Sequence, residues 1–226
     1  MPPSATSWSS DSWSRRLPRG SRGLAVVGLA AAFGLFAFTF RGQRARFWER
    51  MTLTGFVLWA MALGNESELR HLRWRSRDVV FGLSSAGILY GIFQVGDRFA
   101  RSVMPRGSKE IQDIYALRSL NPPVEIAARL ATVIGPAEEL FWRGFVQRRV
   151  GGLAAAAAYG GAHLVTGNTT LVGAAAVAGI YWGLLRALGM SMPALITSHI
   201  AWDIWIFLLA PTEGAEEDSS RDSATR

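Results

Sequence analysis

The sequence contains no cysteine, which excludes a disulfide framework, a thiolate metal site and a cysteine nucleophile. Charge is also missing from long stretches of the chain, and residues 150–185 contain no Asp, Glu, Lys or Arg. The mean hydropathy is only +0.18 because charged residues gather at both ends and in a few internal segments. This segregation of charge predicts a membrane protein.

The chain has 24 basic and 17 acidic residues and a formal net charge of +7. Such a surplus is typical of nucleic-acid-binding proteins, but here the arginines flank apolar runs, where they would face lipid headgroups. We therefore predict a lipid bilayer and no nucleic acid as partner. A composition rich in Arg, Ala and Gly without a lysine excess favours a bacterial inner (plasma) membrane.

The apolar runs are predicted to cross the bilayer as helices, because a helix satisfies its own backbone hydrogen bonds in lipid. The predicted spans cover residues 23–40, 51–64, 79–95, 124–146 and 192–210, with two more helices in 150–185, where residues 166–170 form the break. The predicted fold is all-α, a multi-pass transmembrane bundle of about seven helices.

Four regions follow from this pattern. Residues 1–22 are a mobile basic segment, residues 23–121 hold N-terminal membrane helices and interfacial segments, residues 122–210 form a helical core, and residues 211–226 form a disordered acidic tail. Arg148 and Arg149 favour a cytoplasmic loop and a cytoplasmic N-terminus, whereas the equally basic segments 41–50 and 96–121 count against that topology.

Ionisable residues inside the core spans are the functional candidates, because a charged group in the bilayer is costly. They are Glu138, Glu139, Arg143, His163, His199 and Asp203. The four-residue spacing of Glu139 and Arg143 allows an ion pair on one helix face. Taking about 1.5 Å rise per residue, the side chains at 138, 163 and 199 lie roughly 15, 20 and 10 Å below one membrane surface, which is compatible with a shared site. His71 falls in a charged segment and is predicted to be solvated.

Three motifs occur in order on separate spans: EELFWR at 138–143, YGGAH at 159–163 and HIAWD at 199–203. They resemble the Glu-Glu-x-x-x-Arg, Phe-x-x-x-His and His-x-x-x-Asn/Asp motifs of the CAAX prenyl protease and bacteriocin-processing family of intramembrane endopeptidases. The resemblance covers about residues 120–210. Tyr159 stands where the family usually has Phe, and Asp203 is within the family's range.

The resemblance implies that residues 122–210 are a catalytic core with Glu138 as general base on a water that His163 helps to hold. His199 would stabilise the oxyanion and Asp203 would orient its ring. Glu139 would pair with the arginine of its motif and keep the helix face ordered. No cofactor is favoured. In a metal-dependent alternative, the side chains at 138, 163 and 199 would bind a Zn²⁺-like ion.

Two further alternatives stay open. The same residues could form the proton pathway of a proton-coupled transporter, although no inverted repeat is evident, or the chain could be a non-catalytic scaffold or immunity protein. For a protease, the expected partner is a membrane-associated peptide or protein: a membrane-anchored peptide, a bacteriocin leader or a C-terminal sorting signal. Nothing in the sequence chooses among these substrates.

Overall fold

The computed structural model describes residues 19–209, which are helical with no strand among them. This confirms the predicted all-α class. The predicted mobile segment 1–22 and the predicted acidic tail 211–226 lie outside the described residues, except for residues 19–22, which begin the first helix.

The helices follow one another with short connections. In the N-terminal half they are α1 (Arg19–Phe40), α2 (Phe47–Asn65), α3 (Ser76–Val103) and α4 (Gly107–Tyr115). One helical path then comprises α5 (Pro123–Arg129), α6 (Gly135–Glu138) and α7 (Gln147–Val150), joined by π-helical turns at Leu130–Ile134 and Glu139–Val146. The described part ends with α8 (Gly152–Ala162), α9 (Thr169–Ala187) and α10 (Met192–Ile204), which continues as a π-helix over Trp205–Leu209. Short 3-10 turns lie at Arg44–Arg46, Ser67–His71, Ala116–Leu120 and His163–Thr166.

Four of the described helical segments are long and apolar enough to cross a membrane: Arg22–Phe40, Ser76–Val103, Thr169–Ala187 and Met192–Leu209. Large apolar side chains on them point outwards, such as Val26, Val80 and Ile180, which are 67%, 61% and 54% exposed. Exposed apolar faces of this size belong in lipid. The chain is therefore an integral membrane protein, and the crossing of the bilayer by the other predicted spans stays a prediction.

Helices α3 and α10 run parallel. The Ser191 hydroxyl donates to Asp78 Oδ1 at 2.6 Å, and the hydroxyls of Ser85 and Ser198 are hydrogen-bonded at 2.9 Å. Both pairs are 113 residues apart in the chain, so both helices begin at the same end of the bundle. Gly82 permits this packing, since a Cβ there would lie only 2.5 Å from a side chain of α10.

The loop between α7 and α8 lies at that same end. Arg148 Nη1 is 3.1 Å from Glu66 and 3.0 Å from Glu68, and both glutamates precede α3 in the chain. His71, in the same segment, is exposed as predicted. The predicted depths required the loop near residue 149 and the start of the span at 192–210 to lie at one membrane surface, and the ends of α7, α8 and α10 are arranged in that way.

The path from Pro123 to Val150 is not a regular α-helix. Pro136 has no N–H to donate to the carbonyl four residues earlier. Just before it, the Gly135 N–H donates to the Leu130 carbonyl, five residues back, which makes the turn π-helical. The second π segment ends in the same way, with the Gln147 N–H bonded to Trp142. Single π turns that interrupt α-helices are frequent at functional sites.

Helix α4 is fastened to the start of α9 by Glu110. Its Oε2 accepts hydrogen bonds from the Thr169 hydroxyl at 2.8 Å and from the Thr170 N–H and hydroxyl at 2.8 and 2.7 Å. Burial alone would raise the pKa of Glu110, but the donors on both threonines outweigh it and lower this pKa to about 2. The carboxylate therefore satisfies backbone and side-chain donors in the first turn of α9.

Candidate active site

A cavity of about 490 Å³ lies between α2, α3, α4, α9, α10 and the Pro123–Val150 path. Its walls are mostly apolar. The structure places four of the six predicted site residues on these walls, namely Glu138, His163, His199 and Asp203, and adds Tyr159. The other two, Glu139 and Arg143, do not line the cavity and are buried behind it.

Glu138 is hydrogen-bonded to Tyr159. The phenol donates to Glu138 Oε2 at 2.7 Å, and the two residues are 4% and 6% exposed. Glu138 ends α6, and its neighbour in sequence points to a different partner, as the 100° rotation per helical residue predicts. The carboxylate at 138 is thus held at the cavity wall, apart from the Glu139 ion pair.

His163 begins the 3-10 turn after α8. Its Nδ1 lies 2.9 Å from the backbone carbonyl of Tyr159, so the tautomer with a proton on Nδ1 donates there and leaves Nε2 as an acceptor. The rings of Phe36 and Phe40 pack against the imidazole at centroid distances of 5.0 and 5.7 Å. The ring is therefore fixed by one hydrogen bond and by the aromatic residues of α1.

Glu139 joins two other predicted site residues. Its Oε1 is 3.1 Å from Arg143 Nη1 and 2.8 Å from His199 Nδ1. The predicted pairing of Glu139 with Arg143 is present as an ion pair, although the Nη1 proton is not aligned for a hydrogen bond. The contact with His199 was not predicted. It connects the Pro123–Val150 path to α10 through a fully buried carboxylate.

The surroundings of His199 differ from the expectation. Asp203 Oδ2 is 3.5 Å from Nε2, longer than a good hydrogen bond, so Glu139 is the nearer carboxylate. Trp182 of α9 stacks on the imidazole with the centroids 4.1 Å apart and the planes 15° apart. The Trp182 indole N–H in turn donates to Ser198 Oγ at 3.0 Å. The imidazole is thus held by stacking on Trp182 and by the hydrogen bond to Glu139.

Arg143 fills the space behind the cavity and is 2% exposed. Its guanidinium lies over the rings of Tyr159 and Trp182, at 4.8 and 5.3 Å from their centroids. Nη2 donates to the Ala178 carbonyl at 3.4 Å. The arginine thus packs against the aromatic residues that contact Glu138 and His199.

Within residues 19–209, no three His, Asp or Glu side chains are grouped closely enough to hold a metal ion. The side chains at 138, 163 and 199 therefore do not, as placed, form the tight ligand set that a tetrahedral zinc ion needs. The three side chains do, however, line the same cavity.

The comparison with protein families matches one part of the chain. Residues 121–205 match the family model described as type II CAAX prenyl endopeptidase, Rce1-like, and this stretch contains all three sequence motifs. No curated protein and no solved structure matches the chain. The match therefore confirms, for residues 121–205, the similarity to a protease family that the three motifs predict.

Proposed function

We propose that the protein is an intramembrane endopeptidase that hydrolyses a peptide bond of a membrane-associated protein or peptide, using a water activated by Glu138. The observation that carries this proposal is the gathering of Glu138, His163 and His199 on one cavity. A cluster of polar groups on a mostly apolar cavity favours hydrolysis over a proton pathway, which needs a file of polar groups across the membrane. The composition favours a bacterial plasma membrane as its location.

In the proposed reaction Glu138 takes a proton from the water, and the water oxygen attacks the carbonyl carbon of the substrate. His163 holds the water through its free ring nitrogen. The Nε2–H of His199 donates a hydrogen bond to the oxyanion of the tetrahedral intermediate and keeps its proton. The C–N bond then breaks, and Glu138 returns its proton to the leaving amine.

Glu139 and Arg143 are proposed to position these groups. Glu139 fixes His199 through Nδ1 at 2.8 Å, which leaves Nε2 for the substrate, with Asp203 Oδ2 at 3.5 Å to keep the imidazole in place. Holding reacting groups in fixed geometry is a large part of enzymatic rate enhancement.

The cavity walls suit a substrate that lies in the membrane. They include Phe99 of α3 and Val177 of α9, which are 58% and 42% exposed on candidate membrane spans. An apolar segment in the bilayer can therefore reach the cavity without leaving lipid. A prenylated C-terminus, a bacteriocin leader and a membrane-anchored sorting signal all satisfy this requirement.

The test uses the full chain in liposomes with membrane-anchored peptides, prenylated in one arm and unmodified in the other, and mass spectrometry of the products. Glu138→Ala and His163→Ala each abolish cleavage while the protein inserts and folds, whereas Glu49→Ala, which removes an exposed carboxylate on α2, does not. Cleavage retained in either site variant refutes the assignment. A folded wild-type chain that cleaves neither peptide class points to a scaffold.

The same assay separates the two versions of the mechanism. We expect full activity in metal-free buffer with a strong chelator, because the proposed water is activated by protein groups alone. Activity that is lost with chelator and restored by Zn²⁺ would instead support the metal-dependent alternative.

A further inference from the structure

We infer that Tyr159 is a positioning residue for the general base: its hydroxyl engages one carboxylate oxygen of Glu138 and leaves the other to take the proton of the water. This inference rests on the proposed function. The motif resemblance gave Tyr159 no role, because the Phe-x-x-x-His motif has Phe at this position, and Phe has no hydroxyl.

The geometry around Glu138 supports the inference. The phenol donates to Oε2 at 2.7 Å, and within the described part of the chain it is the only hydrogen-bond partner of this carboxylate. The terminal torsion of a Glu side chain has a broad energy minimum, so packing alone does not fix the rotation of the carboxylate. The short hydrogen bond from Tyr159 to Oε2 fixes this rotation, and Oε1 is left to point towards another partner.

Tyr159 is itself held in place, so that its hydroxyl is preorganised. Its ring contacts those of Trp142 and His163 edge to face, at 5.3 and 5.2 Å. The Arg143 guanidinium covers it at 4.8 Å. A side chain packed by two rings and a cation has little freedom to swing away from Glu138 during the reaction.

The proton balance needs no proton from the phenol. The proton of the water moves to Glu138 Oε1 as the C–O bond forms, and the same proton moves to the amine nitrogen as the C–N bond breaks. The Tyr159 hydroxyl donates a hydrogen bond to Oε2 throughout and keeps its own proton. Its contribution is therefore orientation of the base, and it acts on the rate of the chemical step.

Tyr159 also contacts His163, the residue proposed to hold the water. Its backbone carbonyl lies 2.9 Å from His163 Nδ1, so one residue contacts both Glu138 and His163. The substitution Tyr159→Phe removes the hydroxyl and leaves the carbonyl, the ring contacts and the cavity wall. Since Phe is the usual residue of the family here, the fold is expected to accept it.

The test measures kcat and KM of Tyr159→Phe in the liposome assay. We expect kcat to fall about ten- to a hundredfold, the effect of losing one hydrogen bond to a charged group, with KM nearly unchanged because the walls of the cavity are intact. Thr39→Val is the matched control. It removes a buried hydroxyl that is bonded to Thr54 at 2.8 Å, away from the cavity, and should leave kcat unchanged.

The outcomes separate this inference from the proposed function. If Glu138→Gln retains activity, the proposed function fails. If Glu138→Gln is inactive and Tyr159→Phe equals wild type, or raises KM alone, only the present inference is overturned. An equal fall of kcat in Thr39→Val also overturns it. Should Tyr159→Phe not fold, 3-fluorotyrosine at position 159 keeps the ring and the hydroxyl; a changed kcat then supports the inference and an unchanged one overturns it.

Discussion

The ion pair behind the cavity allows a quantitative test. Glu139 is fully buried, and Arg143 is 2% exposed. In Glu139→Gln the guanidinium loses its counter-ion while it stays out of contact with water. Its other contacts, the aromatic rings and the Ala178 carbonyl, do not neutralise a charge. The substitution therefore leaves an uncompensated buried cation.

Removing one partner of a buried ion pair costs about 3–5 kcal/mol, and we expect Glu139→Gln to lower the free energy of unfolding by that amount. Arg143→Met should also be destabilising, but by less, because the carboxylate loses its arginine and keeps the contact with His199. The double variant has no unpaired charge, so it should lose less than the two single losses added together, by about 1–3 kcal/mol.

The measurement is equilibrium unfolding in mixed micelles for wild type, both single variants and the double variant. Glu49→Gln, at an exposed position of α2, serves as the surface control and should be near wild type. An additive cycle, or a Glu139→Gln variant within about 1 kcal/mol of wild type, would refute the reasoning, since that is the range of exposed ion pairs. Turnover should fall as well, because Glu139 also holds His199.

Two other changes are predicted. Glu110→Gln should lower the free energy of unfolding by about 1–3 kcal/mol at pH 7. The pKa of Glu110 is about 2 in the folded protein, below the ordinary 4.5. The ionised carboxylate therefore stabilises the fold fully above pH 4.5, and this stabilisation is lost as the pH falls towards 2. Unfolding at pH 7 and pH 3 checks this, and a difference between variant and wild type that does not shrink at pH 3 contradicts it. Trp182→Leu removes the ring stacked on His199 and should lower kcat more than it changes KM; wild-type kcat in a folded variant would show that the stacking does not position the imidazole.

The candidate site could be predicted because ionisable residues are rare in apolar spans. Once Glu138, His163 and His199 were recognised as costly in lipid, helical rise alone placed them at similar depth, and the structure puts them on one cavity. Local spacing also predicted the pair of Glu139 and Arg143, which are one turn apart. Rules about i and i+4 neighbours suffice for contacts within one helix.

Contacts between helices could not be predicted in this way. Tyr159 bonds a carboxylate 21 residues away, and Glu139 bonds an imidazole 60 residues away. Which of two adjacent glutamates faces the cavity depends on the rotation of the helical path, and the π turns around Pro136 change that rotation. A prediction that assumes 3.6 residues per turn throughout does not account for the extra residue of a π turn, and so misplaces the side chains that follow it.

Helix α3 is longer than the predicted span. The apolar run predicted a span over residues 79–95, because charged residues follow it, but the helix covers Ser76–Val103. Asp97 and Arg101 lie one turn apart with their charges 2.9 Å from each other. An ion pair that is satisfied within the helix lets the helix continue past the apolar run. The first charged residues after position 95 therefore do not mark the end of this helix.

The burial of the Glu139–Arg143 pair bears on why the motif contains two adjacent glutamates. A buried ion pair returns little net stability compared with apolar residues of the same size, so stability alone is a weak reason for placing one in a membrane helix. Here the pair lies behind the cavity, while the neighbouring Glu138 lines it. Glu139 binds His199, and Arg143 covers the rings that contact Glu138 and His199. The pair therefore fits a positioning role: it connects the helical path that carries the proposed base to α10, which carries the proposed oxyanion donor. Its loss should disturb both groups together.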